Sequence, residues 1–174
     1  MTLRSATLQP GPAGYSASQI VLHWIIAALV VFQLAFGGMM GPAYRAFRRG
    51  TEPAAADLFA ANVHVYVGIA VLVLAVWRFA LRLTRGVPAL PAGEGPVTAW
   101  LARIAHFLLY LFIFGMPVTG MLAWFGMVEQ AGEFHETMKP VIILVVALHA
   151  AGALWQHFGA RTDVLRRMLR PVRP

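Results

Sequence analysis

Four long apolar runs separated by short polar segments set the pattern of this chain. They extend over about Ile20 to Met40, Leu58 to Leu83, Val97 to Phe125 and Glu133 to Phe158. A helix crosses the hydrocarbon core of a bilayer in about 20 residues, so each run is long enough to span. The lipid interior leaves the backbone no water to bond, and only helices or closed barrels satisfy it there. Apolar residues also run continuously rather than alternating with polar ones, which favours helices. The pattern predicts an all-α integral membrane protein: one four-helix transmembrane bundle over residues 1–174, with a polar tail over 159–174.

Local signals mark the ends of these runs. Ser16 and Gln19 stand at capping-box spacing before the first run, where hydroxyl and amide satisfy free N–H groups. The polar segment ahead of it has no small-residue cleavage site after a short apolar core, so the first run is expected to be an uncleaved anchor. Gly41 to Ala56 and the Pro/Gly-rich Thr84 to Pro96 read as loops. Pro117 and Gly120 predict a kink in the third run, and a turn is expected near Gly132. Pro140 falls inside the fourth run, where it removes a backbone hydrogen bond and predicts a bend.

Composition sharpens this reading. Hydrophobic residues make up 59% of the 174 and charged residues only 12%, about half the share of a soluble domain. Mean hydropathy is +0.68. With no cysteine, thiolate-held iron–sulfur clusters, covalently attached haem and disulfides are excluded. The formal charge of +7 does not point to nucleic acid, because no soluble basic module carries it. The basic residues instead set orientation. Arg4, Arg78, Arg82, Arg85, Arg103, Arg161, Arg166, Arg167, Arg170 and Arg173 fall at one end of the spans, and Arg45, Arg48, Arg49 and Lys139 at the other. The positive-inside rule then places both termini in the cytoplasm. The end rich in arginine is called inner below, and the opposite end outer.

The candidate chemistry lies in the histidines. His135 and His149 are fourteen residues apart. On a helix that spacing rises about 21 Å and ends about 40° short of four full turns, so both rings face one way at two depths. His64 shares the outer depth of His135, and His23 shares the inner depth of His149. A lone intramembrane histidine is commonly a hydrogen-bonded contact between helices. Four that pair in depth are costly to bury unpartnered, and neutral imidazole is a good axial ligand for haem iron. Two haems b between the helices are expected. Gly37 and Arg78 each follow a histidine by fourteen residues; Gly37 would let a porphyrin approach the backbone, and Arg78 would meet propionates. The inner pair has a competitor. His106 lies at the same depth and could serve as ligand, propionate partner, quinone contact or interhelical hydrogen bond. Arg78, Arg82 and His106 are the candidates for propionate or quinone contact, and His157 is expected at the interface.

These residues resemble the bacterial cytochrome b561 family. The resemblance rests on Tyr15-Ser16 through Gln19, Leu22-His23-Trp24, Asn62-Val63-His64 with Gly68, and Trp77-Arg78 with Leu81-Arg82. It continues through His106 with Leu109-Tyr110, Pro117 with Gly120, Phe134-His135-Glu136, Leu148-His149-Ala150-Ala151 and the tail with Asp163, Arg167 and Met168. It implies a dihaem cytochrome of the bacterial inner membrane that exchanges electrons with the quinone pool. His23 and His149 would hold the inner haem, His64 and His135 the outer.

Small members of that family are similar to superoxide oxidase, which passes electrons from periplasmic superoxide through haem to ubiquinone. On that reading Arg45, Arg48, Arg49 and Lys139 would steer the anion, although Glu52, Asp57, Glu129, Glu133 and Glu136 lie at the same end. The alternative is a cytochrome b subunit linking a periplasmic dehydrogenase or hydrogenase to the quinone pool, with a periplasmic redox protein as partner. Pro140 and a short connection between the third and fourth spans depart from the family pattern.

Overall fold

The computed structural model describes residues 12–91 and 95–171, so Arg4 and Arg173 lie outside the described residues. Among the described residues, seven α-helices follow in order: α1 Ala17–Phe36, α2 Gly41–Arg48, α3 Ala55–Arg85, α4 Pro96–Phe125, α5 Glu129–Thr137, α6 Lys139–Phe158 and α7 Val164–Arg167. A 3₁₀ segment, Gly37–Met40, joins α1 to α2. Four stretches are long and apolar enough to span a membrane: Ala17–Arg48, Ala55–Arg85, Pro96–Phe125 and Glu129–Phe158. The fold is an all-α transmembrane bundle, as the apolar runs require.

The capping box forms as expected. Ser16 Oγ accepts from the Gln19 backbone N–H at 3.4 Å, and Gln19 Oε1 accepts from the Ser16 N–H at 3.0 Å. The 31 residues of α3 reach about 46 Å, so its ends project beyond a core of about 30 Å. It stops at Gly86, whose φ of +73° suits a residue without Cβ.

Three local expectations are corrected. Gly41 to Ala56 is not mainly loop, because α2 occupies Gly41–Arg48. Gly41 and Pro42 open that helix, where proline's missing N–H has no bond to lose, and Ala43 is buried beneath it. The turn near Gly132 is absent, since Gly132 lies inside α5. The fourth run is not one unbroken helix, and the disturbance expected at Pro140 takes the form of a break. The interruption falls at Met138, and Pro140 sits in the first turn of α6. The break is shallow: Met138 N–H still bonds the Phe134 carbonyl and Ile142 N–H the Met138 carbonyl, both at 3.0 Å.

Packing follows chain order. Helix α1 lies on α3, α3 on α4, and α4 on both α5 and α6. Alanines are prominent among the buried residues: Ala61, Ala75, Ala99, Ala123 and Ala131 are all buried, beside the larger Ile20, Leu22, Ile26, Val71, Ile142 and Val145. Small side chains let membrane helices approach closely and gain van der Waals contact. Large apolar residues such as Phe59, Val73, Phe107 and Leu144 point outward instead. In water such a surface would drive aggregation, whereas lipid tails accept it. The connection from α4 to α5 is only Gly126 to Val128, with Met127 at a φ of +51°.

Candidate haem site

The four candidate histidines come together in two pairs, each joining the first half of the bundle to the second. His23 on α1 faces His149 on α6, with ring centroids 6.3 Å apart and planes at 70°. His64 on α3 faces His135 on α5, at 6.0 Å and 78°. Imidazole nitrogen binds a transition-metal ion at about 2.0 Å, and the ring centroid stands about 1.1 Å behind that nitrogen. Two imidazoles on opposite sides of one iron therefore hold their centroids about 6 Å apart, and both pairs fit. His135 and His149 lie on different helices, α5 and α6, across the Met138 junction. Their helical phase is interrupted, yet each still meets its partner.

At the outer pair the backbone is tailored to the rings. A Cβ at Gly37 would stand 2.9 Å from His64 Cε1, and one at Gly120 would stand 3.1 Å from His135 Cε1. Gly120 thus makes room for an imidazole rather than only marking a kink. His135 Nδ1 donates to the Met116 carbonyl at 2.9 Å, with Thr119 Oγ1 3.2 Å from the same nitrogen. Holding the proton on Nδ1 leaves the Nε2 lone pair available to a metal. His64 Nδ1 is buried with no partner among the described residues. Its carbonyl accepts from Gln33 Nε2 at 2.8 Å, which ties α1 to α3 beside the candidate ligand.

The inner pair has a third ring beside it. His106 on α4 lies 5.2 Å from His149 between centroids, about 1 Å less than a shared iron needs. Its Nδ1 bonds the Ala102 carbonyl at 2.7 Å, so its free nitrogen is Nε2. Arg78 donates to the Gln19 carbonyl, one turn before His23. With Arg82, Tyr15, Gln19, Val87 and Tyr110 it lines a small cavity at this end, and the Arg82 guanidinium lies 5.8 Å from the Tyr110 ring centre.

At the outer rim, Arg45, Arg48, Arg49 and Lys139 are all exposed. Arg48 is ion-paired with Glu129, joining α2 to α5. That leaves Arg45, Arg49 and Lys139 as the rim cations without an acidic partner among the described residues.

Several contributors escaped the sequence reading. Gln33 is the one that carried a signal, a polar residue amid Val31, Phe32 and Leu34. The Met116 carbonyl carried none, because every residue has one. Tyr44 also went unremarked; a Cβ at Gly132 would lie 2.5 Å from its hydroxyl, which is why α5 has glycine where it meets α2.

Comparison with known proteins identifies the family. The prokaryotic cytochrome b561 family profile matches residues 14–171. Cytochrome b562 of Cereibacter sphaeroides is 40% identical over 158 residues, covering 91% of this chain and 96% of that protein. A probable superoxide oxidase of Yersinia pestis is 28% identical over 176 residues, covering 89% and 95%. Cytochrome b561 homolog 2 of Escherichia coli is 25% identical over 180 residues, covering 91% and 92%. With four membrane-spanning stretches and paired imidazoles between them, this chain belongs to the prokaryotic cytochrome b561 family of haem-b-binding bacterial membrane proteins that transfer electrons.

Proposed function

We propose that this protein is a single-domain, dihaem member of its family that oxidises superoxide at the outer face and reduces ubiquinone. The observation that carries the reading is the two imidazole pairs, at 6.3 and 6.0 Å, each bridging separate helices. His23 and His149 would hold haem at the inner site, His64 and His135 at the outer. Haem at the two sites supplies one-electron carriers stacked across the membrane.

The protein's own residues do the rest. Met116 and Thr119 fix the tautomer of His135, and Gly37 and Gly120 leave room for the Cε1–Nδ1 edges of the His64 and His135 rings. Arg45, Arg49 and Lys139 raise the local concentration of a small anion, and Arg48 contributes less because Glu129 neutralises it. Arg78, Arg82 and His106 gather at the inner end, where propionates or a quinone headgroup need cationic and hydrogen-bonding partners. The balance is simple: two superoxide ions become two dioxygen molecules, and one quinone takes up two electrons and two protons to become quinol. Support for superoxide comes from the probable superoxide oxidase relative. The inner membrane, with both termini cytoplasmic, is assigned from the arginine-rich inner end.

Stopped-flow mixing with superoxide is the direct test. Haem reduction should rise linearly with superoxide, slow with added salt and reverse on addition of ubiquinone. A reduction rate independent of superoxide concentration would overturn the assignment. A second reading keeps the same haem sites and changes the electron donor. On that reading the chain is a cytochrome b subunit linking a periplasmic dehydrogenase or hydrogenase to quinone. Stable co-purification with a soluble redox protein would establish it.

A further inference from the structure

The inner end carries a second cavity, away from both histidine pairs. It is an open hollow of about 420 Å³ between the last turn of α6 and the tail, lined by His157, Arg166, Leu169 and Arg170. Arg166 and Arg170 are four residues apart and share one side of the tail. Neither guanidinium bonds a carboxylate or carbonyl among the described residues. Arg167, between them, is used differently: it pairs with Asp163 at 2.8 Å and donates to the Ala89 carbonyl at 2.7 Å. Trp24 Nε1 donates to the Met168 carbonyl at 2.7 Å. The tail is thus pinned to α1 and to the α3–α4 connection, so the backbone that carries the two remaining, exposed arginines is held beside the cavity.

The third polar group is His157. Its Nδ1 is buried and has no partner among the described residues, a state that costs free energy unless a ligand meets it. The rim is apolar: Leu169 is 58% exposed, and Trp155 and Phe158, at 69% and 72%, flank the same helix end. Aromatic residues so placed mark the boundary between headgroups and acyl chains. Two unpaired cations, a buried imidazole nitrogen and an adjoining apolar edge suit an amphiphile with a phosphate head. Arginine guanidinium matches phosphate through paired N–H donors.

We propose that this cavity binds the phosphate of an anionic phospholipid headgroup, with the acyl chains lying along Leu169 and Phe158. The site does not depend on the electron donor or acceptor, so it stands or falls separately from the superoxide assignment. The test uses the full chain with its haem, delipidated in mild detergent and titrated with phosphatidylglycerol, phosphatidylcholine or inorganic phosphate, read by native mass spectrometry. Phosphatidylglycerol should bind about tenfold or more tighter than phosphatidylcholine, since each interfacial arginine adds to anionic-lipid affinity. R166Q/R170Q should erase that preference, and H157F should weaken it, both with an unchanged haem spectrum. R103Q/R161Q removes the same charge at the same end but outside the cavity, and should retain it. Equal retention of the two lipids, or equal loss in both double variants, would overturn a built site. Inorganic phosphate binding as tightly as phosphatidylglycerol would overturn the lipid as its source. Displacement of the lipid by stoichiometric ubiquinone would identify the cavity as a quinone pocket and overturn the proposal too.

Discussion

On the proposed two-haem assignment, replacing Gly37 by alanine should empty the outer haem site while leaving the inner one filled. On propensity alone the change should help, because alanine is favoured over glycine in helical backbone by about 0.5–1 kcal/mol. The surroundings reverse the sign. The new Cβ would stand 2.9 Å from His64 Cε1 and 3.0 Å from its Nδ1. Carbon atoms rest at about 3.5 Å or more, so the ring must move about 0.6 Å. Metal–ligand distances tolerate only about 0.2 Å, and His64 is bounded on its other side by His135 at 6.0 Å. Overpacking of this kind typically costs about 1–3 kcal/mol, more than propensity returns. Disturbing the support of a ligand lowers metal affinity about 10–100-fold. Pyridine haemochrome assay of the purified variant should therefore fall from two haems per chain toward one. Gly38→Ala is the control, because nothing lies within 4 Å of its added methyl, and it should keep both haems. A Gly37→Ala protein that retains two haems and melts no lower than the parent would refute the steric reasoning.

Three further outcomes follow from the same geometry. His135→Ala should lose the outer haem alone and His149→Ala the inner alone, while His106→Ala keeps both, as counted by haemochrome; loss of a haem from His106→Ala would show that the 5.2 Å ring is a ligand. Gly132→Ala should lower the thermal midpoint, at a cost of about 1–3 kcal/mol for overpacking, since its Cβ meets the Tyr44 hydroxyl at 2.5 Å; adding Tyr44→Phe should recover part of the loss, because the next ring atom is 3.2 Å away. Gln33→Leu removes the bond to the His64 carbonyl, and an interhelical hydrogen bond in a membrane averages about 0.6 kcal/mol, so thermal stability should fall only slightly while the outer haem band shifts or broadens; an unchanged spectrum would mean that Gln33 does not influence His64.

Sequence alone determined the class of protein and the residues around which it is organised. A bilayer admits few solutions, so four apolar runs lead directly to four spans. Histidines are rare enough in lipid that their depths could be paired by counting. The same counting could not rank His23 against His106, because both stand at one depth and the choice turns on about 1 Å between rings.

Tertiary structure decided what depends on neighbours distant in the chain. Gly41 to Ala56 read as loop and Gly132 as a turn, yet Gly41 and Gly132 lie within helices, because a glycine's effect depends on whether its Cβ position was needed there. The glycines beside His64 and His135 belong to other helices, and no spacing along one helix shows which ring they accommodate. The Met116 carbonyl that orients His135 has no sequence signature at all. The apolar pattern is a property of each segment facing a uniform solvent and is legible one residue at a time. Ring separations and close approaches arise between segments, and only the packed chain specifies them.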